Sequence, residues 1–195
     1  MSTPARAPTG SRVGTAGQVI GLFVALLYVV ELLDQLLGNR LDGGGIQPRE
    51  GEGLDGILWA PLLHGGWWHL VGNTVPLLVL GFMILLSGVR QWLEVTAIVW
   101  LVGGFGTWLT GGDRTVHLGA SGLVFGWLTY LVLRGVFSRR PGQIAIGVLV
   151  VVLYGGALWG VLPGQPGISW QGHFFGAAGG ALSAWLLGAS ERRGD

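Results

Sequence analysis

The chain has 195 residues, of which 50% are hydrophobic, only 11% are charged and 38 are glycine, and its formal net charge is +1. A typical soluble domain carries about 25% charged residues, so this composition and the mean hydropathy of +0.59 indicate that lipid is the main solvent. These values exclude a water-soluble enzyme domain, a disordered polar chain and a nucleic-acid-binding protein with a basic face. The chain has no cysteine, which excludes disulfides, thiolate metal sites and a cysteine nucleophile.

Six apolar segments of spanning length follow one another along the chain. Residues 1–16 are polar and are predicted to be a disordered cytoplasmic segment, and the first helix is predicted over residues 18–37. A cleaved signal peptide is the competing interpretation of that run, but no small-residue cleavage site follows it. A spanning helix needs about 20 residues, so the predicted fold class is all-α, a polytopic membrane protein with a six-helix bundle over residues 17–189 and a tail over 190–195. After a loop rich in Gly and acidic residues from Arg40 to about Leu63, the other five helices are predicted over residues 67–86, 92–109, 121–137, 144–162 and 172–187.

The arginines indicate how the predicted bundle is oriented. All eleven basic residues are arginine, and a cytoplasmic N-terminus places eight of them inside and three outside. Because cytoplasmic loops carry an excess of positive charge, both termini are predicted to be cytoplasmic. The inside set is Arg6, Arg12, Arg90, Arg134, Arg139, Arg140, Arg192 and Arg193, and the outside set is Arg40, Arg49 and Arg114.

Polar residues in three of the predicted helices share one depth. His69 and Asn73 lie in the second helix, Ser121 begins the fourth and His173 lies near the start of the sixth. All three helices run from outside to inside in the predicted topology, so these side chains should lie near the outer surface. A polar side chain in the hydrocarbon region is costly and therefore indicates a function.

Small residues spaced four apart predict that the fourth and sixth helices pack closely. Gly122 and Gly126 form one such step, and Gly172, Gly176 and Gly180 form two more. Such faces allow close backbone contact, which would make Ser121 and His173 neighbours. A serine hydroxyl within hydrogen-bond reach of an imidazole is the minimum apparatus for covalent acyl transfer. At a helix start, Ser121 would also lie beside unpaired N–H groups that favour an oxyanion.

Other polar residues have less specific interpretations. Glu31 and Asp34 share a face of the first helix, where a proton relay and polar contacts with the long loop are both possible, the contacts being favoured. His117 is predicted to be solvated in a short outer loop. The four histidines raise the question of a metal site, but they have no carboxylate or thiolate residues beside them in a metal-binding pattern and no H-E-x-x-H motif.

The motifs together resemble the rhomboid family of intramembrane serine proteases. The stretch from His64 to Asn73 is similar to the family's H-x-x-x-x-H-x-x-x-N signature, and Gly119-Ala120-Ser121-Gly122 matches its G-x-S-G. His173, followed by Gly176 and Gly180, matches the family's sixth-helix histidine. The resemblance covers about residues 59–187, and more loosely the first helix.

The resemblance implies a Ser121 nucleophile and a His173 general base. It also implies an oxyanion hole made of His69, Asn73 and the Ser121 backbone N–H, with His64 as a structural histidine. Single-pass membrane proteins would be the substrates, with the lipid bilayer as the surroundings and with neither a cofactor nor nucleic acid involved. Phe125, Trp67 and Trp68 are the residues proposed to contact substrate. The setting implied is a bacterial cell membrane, with the active site opening to the extracytoplasmic side.

Three departures from the family pattern are visible. No Trp-Arg pair precedes His64, no acidic residue follows Leu80-Gly81, and Phe125 stands where a tyrosine is common. These positions concern loop anchoring and the rim of the site. The alternative function is a catalytically silent rhomboid-like protein that binds membrane clients, although such relatives usually lack the serine or the histidine. A small transporter would require broken helices and an inverted repeat, and neither is clear in the sequence.

Overall fold

The computed structural model describes residues 9–165 and 167–193, and it describes side chains over residues 11–165 and 167–190. Over these residues the chain is helical, and the β-pairing is a single isolated antiparallel bridge between Ile46 and His117. Six long helices, named α1 to α6, account for most of the described chain. They are α1 Thr9–Leu36, α2 Trp67–Leu85, α3 Val89–Thr110, α4 Ser121–Ser138, α5 Pro141–Tyr154 and α6 Trp170–Arg193.

The first and last helices are longer than the sequence predicted. Helix α1 begins at Thr9, so the prediction of disorder through residue 16 is wrong for residues 9–16, while residues 1–8 lie outside the described residues. Helix α6 continues to Arg193, so residues 190–193 extend the helix and do not form a separate tail. Neither extension contains a proline, which is a strong signal for the end of a helix.

Among the described residues, five helices are long and apolar enough to cross a membrane, so the chain is an integral membrane protein. They are Ser11–Leu36, Trp67–Leu85, Val89–Thr110, Ser121–Ser138 and Pro141–Val161. Helix α6 is not among these five, because its glycines, serines, Gln171 and His173 lower its mean hydropathy. Its 24 residues would still extend about 36 Å at 1.5 Å per residue, which is long enough for a bilayer of about 30 Å.

The predicted fifth helix changes geometry along its length. It is α-helical over Pro141–Tyr154 and continues as a 3-10 helix over Gly155–Val161. The change begins at the glycine pair Gly155 and Gly156, and glycine is among the poorest formers of a regular α-helix. As a consequence, the carbonyl of Gly160 faces α6 and does not bond within its own helix.

The loop between α1 and α2 packs onto the C-terminal part of α3. Ile46, Ile57 and Ala60 form a small apolar cluster with Trp108 and Leu118. Indole N–H groups hold the loop in place: Trp100 donates to the Ile57 carbonyl at 2.7 Å and Trp108 donates to the Glu50 carbonyl at 3.0 Å. The loop is therefore a fixed part of the fold and not a flexible connection.

Two acidic residues of α1 are buried against this loop. Glu31 and Asp34 are 1% and 2% exposed, and Asp34 Oδ1 accepts the backbone N–H of Leu41 at 2.6 Å. Burial and the neighbouring Asp34 and Glu31 raise the pKa of Asp42 to about 6. The expected contact between α1 and the loop is thus confirmed.

Helix α6 lies against α3 and α4 through glycine faces, which confirms the predicted packing of α4 on α6. A Cβ atom on Gly180 would overlap the Gly126 carbonyl oxygen, and one on Gly176 would overlap that of Gly122. On the α3 side, a Cβ at Gly103 would lie 3.5 Å from the Gly176 Cα. Backbones this close leave no room for side chains, so the polar groups at the N-terminal ends of α4 and α6 are brought into contact.

Candidate active site

Ser121 is the first residue of α4 and follows a tightly constrained turn. Gly119 has φ +115°, a conformation that favours glycine, and its N–H donates to the Ala60 carbonyl at 2.8 Å. The His69 ring lies directly over this glycine: a Cβ at Gly119 would be 2.7 Å from His69 Nε2. The glycine is therefore required both for its backbone conformation and for the space that His69 occupies.

His173 lies in the first turn of α6 and contacts Ser121. Its Nε2 atom is 2.8 Å from Ser121 Oγ, and its Nδ1 atom is 2.9 Å from the Gly160 carbonyl oxygen. A carbonyl oxygen can only accept, so Nδ1 carries the hydrogen and Nε2 of the neutral ring accepts the Ser121 hydroxyl. This is the tautomer that a general base for Ser121 requires.

The Gly160 carbonyl is a functional group that sequence reasoning missed. In a Ser-His-Asp triad an aspartate orients the histidine, whereas here a backbone carbonyl does so. A Cβ at Gly160 would lie 2.8 Å from Phe125 Cζ and 3.1 Å from His173 Nδ1, so a glycine allows the close approach. The glycine-rich end of the predicted fifth helix is the only signal of this role in the sequence.

Phe125 packs flat against the His173 ring. The ring centroids are 4.0 Å apart and the planes are inclined by 12°. Phe125 is buried and does not line the large cavity described below. Its contact is with the imidazole, one turn of α4 after Ser121, and it packs against one face of the ring.

His69 and Asn73 lie one turn apart on α2 and face the same cavity as Ser121. His69 Nδ1 accepts the Gly65 N–H at 3.3 Å, so Nε2 of the neutral ring carries the hydrogen. The Asn73 side-chain amide donates one hydrogen to the His69 carbonyl at 3.1 Å. The site therefore contains an N–H donor on His69 and an amide group on Asn73 near the start of α4.

A cavity of about 740 Å³ contains Ser121, His173, His69 and Asn73 in its lining. Trp68 also lines this cavity and is 88% exposed. Trp67, in contrast, packs against Tyr28 of α1 in a tilted arrangement with centroids 6.2 Å apart and is not part of the lining. Of the three residues proposed to contact substrate, Trp68 alone is placed on the cavity wall.

His64 is buried beneath the site. Its Nε2 atom accepts the backbone N–H of Ala120 at 3.3 Å, and its ring meets His69 edge-on at 5.1 Å. Burial lowers the pKa of His64 to about 4, an effect increased by the neighbouring His69 and partly opposed by the Leu62 backbone. The neutral ring is needed because only an unprotonated Nε2 can accept the N–H that precedes Ser121.

Acidification is expected to destabilise the fold through His64. The native pKa of about 4 lies below the ordinary value of 6.5, so the unfolded chain binds the proton more readily and stability falls as pH drops from about 6.5 to 4. At about 1.4 kcal/mol for each pH unit between the two values, the loss is on the order of 3 kcal/mol. Thermal midpoints in detergent between pH 7.5 and 4.5 measure it, and the fall should be shallower in His64→Asn. An equally steep fall in that variant would contradict the assignment.

His117 is not solvated, and the sequence prediction for it is wrong. Its side chain is half-buried, with Nδ1 at 2.7 Å from Ser169 Oγ and Nε2 at 2.8 Å from Thr115 Oγ1. The backbone of His117 pairs with Ile46 in the isolated bridge, and this pairing turns the side chain toward α6. A pairing between residues 71 positions apart leaves no local sequence pattern.

Metal ligands do not gather in the part of the chain that the structure describes. Among the side chains that the structure describes, over residues 11–165 and 167–190, no three His, Asp or Glu side chains are close enough together to hold a metal ion. His64 and His69, although adjacent, use one ring nitrogen each to accept a backbone N–H. The polar side chains that line the cavity are the hydroxyls of Thr115, Ser121 and Ser169, the imidazoles of His69, His117 and His173, and the Asn73 amide.

Comparison with known proteins identifies the family. A model of the Rhomboid domain matches residues 53–190, which include α2 to α6 and every residue of the site. The chain therefore belongs to the rhomboid family, whose members are in general intramembrane serine proteases.

The relatives that match over most of the chain are mycobacterial. An uncharacterized protein of Mycobacterium tuberculosis is 52% identical over 185 residues, which are 91% of this chain and 77% of that protein. An uncharacterized protein of Mycobacterium leprae is 50% identical, covering 91% of this chain and 73% of its own length. A protein of Bacillus subtilis provisionally named rhomboid protease YdcA is 28% identical over 68% of this chain and 66% of its own.

Proposed function

We propose that this protein is an intramembrane serine endopeptidase that uses a Ser121–His173 dyad. The observation that carries the proposal is the pair of contacts made by His173, at 2.8 Å to Ser121 Oγ and 2.9 Å to the Gly160 carbonyl. Together they select the tautomer that can remove the serine proton. Family membership supports the same reaction class.

The reaction would proceed through an acyl-enzyme. Ser121 Oγ attacks the carbonyl carbon of the scissile peptide while His173 Nε2 takes its proton. The imidazolium so formed keeps its Nδ1–H bond to Gly160 and then gives the Nε2 proton to the leaving amine. Water next attacks the Ser121 ester with His173 again acting as the base, which releases the second product and restores the serine.

The negative charge of the tetrahedral intermediate would be held by donors from two helices. These are the backbone N–H of Ser121 at the start of α4, His69 Nε2–H and the Asn73 amide. The bond from Gly65 to His69 Nδ1 supports this role because it leaves the hydrogen on Nε2. A helix N-terminus adds positive potential at the same place.

Single-pass membrane proteins are the proposed substrates. Five described helices are long and apolar enough to cross a membrane, and α6 is the proposed sixth. The proposed site residues lie near the starts of α2, α4 and α6, so the cavity would lie near one end of a membrane-spanning bundle. The positive-inside distribution of arginines favours the extracytoplasmic side for that end. A substrate segment would unwind there, because a helical peptide bond is shielded by its own hydrogen bonds and side chains.

A labelling experiment with a cleavage assay tests this function. The purified protein in detergent is treated with a fluorophosphonate and digested, and the adduct is located by mass spectrometry, while untreated protein is incubated with single-pass substrates. We expect one adduct, on Ser121, and cleavage in or near the spanning segment. An adduct on Ser169, the other cavity serine with a histidine neighbour, would overturn the dyad. Absence of both labelling and cleavage would favour the client-binding alternative.

A further inference from the structure

The start of α6 depends on Ser169. The hydroxyl oxygen of Ser169 accepts the Gly172 N–H at 3.2 Å, and its carbonyl accepts the His173 N–H at 3.1 Å. Ser169 is therefore the N-cap of the helix turn that carries His173. An N-cap serine stabilises the first turn because it satisfies N–H groups that have no partner within the helix.

A continuous chain of hydrogen bonds ties this cap to the loop before Ser121. The Thr115 hydroxyl donates to the Gly112 carbonyl at 2.6 Å, so its oxygen accepts from His117 Nε2–H at 2.8 Å. His117 Nδ1 then has no hydrogen and accepts the Ser169 hydroxyl at 2.7 Å. This direction leaves the Ser169 oxygen available to the Gly172 N–H. In this arrangement each hydrogen bond has one donor and one acceptor, and the network requires a neutral His117.

The position of His117 is itself fixed. Its N–H donates to the Ile46 carbonyl at 2.9 Å and its carbonyl accepts the Ile46 N–H at 2.8 Å. Four residues later the chain reaches Ser121. The His117–Ser169 hydrogen bond thus joins the segment that leads into the nucleophile to the cap that leads into the general base.

We propose that His117, acting through Ser169, is a positioning residue that holds His173 within reach of Ser121. The inference rests on the proposed function and adds to it a contact from outside the dyad. His117 is linked to the cap of α6, and the cap holds the turn that bears the imidazole. Displacement of a reacting group by about 1 Å can reduce a rate a hundredfold, so this hydrogen bond would act on catalysis through the position of His173.

The surroundings of His117 favour its neutral form. Burial lowers its pKa. The charged groups nearest on the packed elements are Arg49 of the loop before α2 and Asp113 of the same outer loop, which pair with each other, together with exposed Arg114. The titratable groups on helices that line the same cavity as His117 are His173 on α6 and His69 on α2. A protonated His117 would donate at both nitrogens, and the Ser169 hydroxyl would lose its acceptor.

Kinetics of variants at both ends of the hydrogen bond test the proposal. His117→Ala and Ser169→Ala should each lower kcat between about tenfold and a hundredfold, with KM changed less than about twofold, and the double variant should lose no more than either one. His117→Asn, whose side-chain oxygen can replace Nδ1 as acceptor, should recover most of kcat and lose the acid limb that His117 contributes to the pH profile. Ser190→Ala, an exposed serine at the far end of α6, is the matched control and should behave as wild type.

Three results would overturn the proposal. These are a wild-type kcat in His117→Ala, losses that multiply in the double variant, and no recovery in His117→Asn. Amide hydrogen exchange at Gly172 and His173 provides a readout that does not require proteolysis, and it should be faster in His117→Ala than in Ser190→Ala. A wild-type protein that neither cleaves nor labels would contradict the proposed function, whereas unchanged exchange would contradict the positioning role alone.

Discussion

Replacing Ser121 with alanine is expected to lower the rate of substrate cleavage by about 10⁴- to 10⁶-fold, the range seen when a serine protease loses its nucleophile. The change removes the oxygen that lies 2.8 Å from His173 Nε2 and leaves the surrounding backbone unchanged. His173→Ala should produce a loss of similar size because the hydroxyl then has no base. The double variant should be no slower than either single variant, since the two residues act as one unit.

The measurement is the initial rate of cleavage of a single-pass substrate in detergent, with thermal unfolding recorded for each variant. Ser183→Ala is the matched control: Ser183 is a buried serine of α6 that donates to the Gly179 carbonyl and lies away from the cavity. It should cleave at close to the wild-type rate. If Ser121→Ala kept more than about 1% of the wild-type rate while remaining folded, the proposed chemistry would be wrong.

Replacing Gly180 with alanine is expected to cause the largest loss of stability among glycine substitutions in α6. The new methyl group would overlap the Gly126 carbonyl oxygen and lie 2.8 Å from its carbonyl carbon and 3.0 Å from its Cα. Backbone atoms cannot turn away as a side chain can, so α4 and α6 must separate. Overpacking of this kind costs about 1–3 kcal/mol and occasionally more, and a wider gap would also lengthen the Ser121–His173 contact.

The free energy of unfolding in mixed micelles, together with the cleavage rate, measures this effect. Gly21→Ala is the matched control, because Gly21 is also inside a long helix and a methyl group there would have no neighbouring atom within 4 Å. That variant should be unchanged or up to about 1 kcal/mol more stable, as alanine favours a helix over glycine. Equal stability of the two alanine variants would show that the α4–α6 contact is not as tight as the glycine faces indicate.

The parts of the site that could be predicted from sequence are those that depend on the spacing of residues along a helix. His69 and Asn73 are one turn apart, and Gly176 and Gly180 repeat the four-residue step of Gly122 and Gly126, so helical periodicity alone places them on common faces. The contact between Ser121 and His173 follows from those faces.

The remaining features depend on the backbone or on distant pairing. The Gly160 carbonyl that orients His173 belongs to no side chain, and every residue in the sequence offers the same group. His117 faces Ser169 because the loop between α3 and α4 pairs with Ile46, which lies in a different loop. The hydropathy of α6 alone does not identify it as a helix of the bundle. The glycines that allow it to pack against α3 and α4 make it less apolar than the neighbouring helices.

The carbonyl at Gly160 makes the dyad sensitive to conformation in a way that a carboxylate would not. As a dipole it carries no net charge, so it needs no counter-ion in an apolar environment and does not titrate. It also cannot be removed by exchanging a side chain. The contact is lost if the 3-10 segment Gly155–Val161 moves or unwinds, and His173 would then lose the partner that holds its hydrogen on Nδ1. The ability of His173 to act as the proposed base therefore depends on the conformation of this one segment.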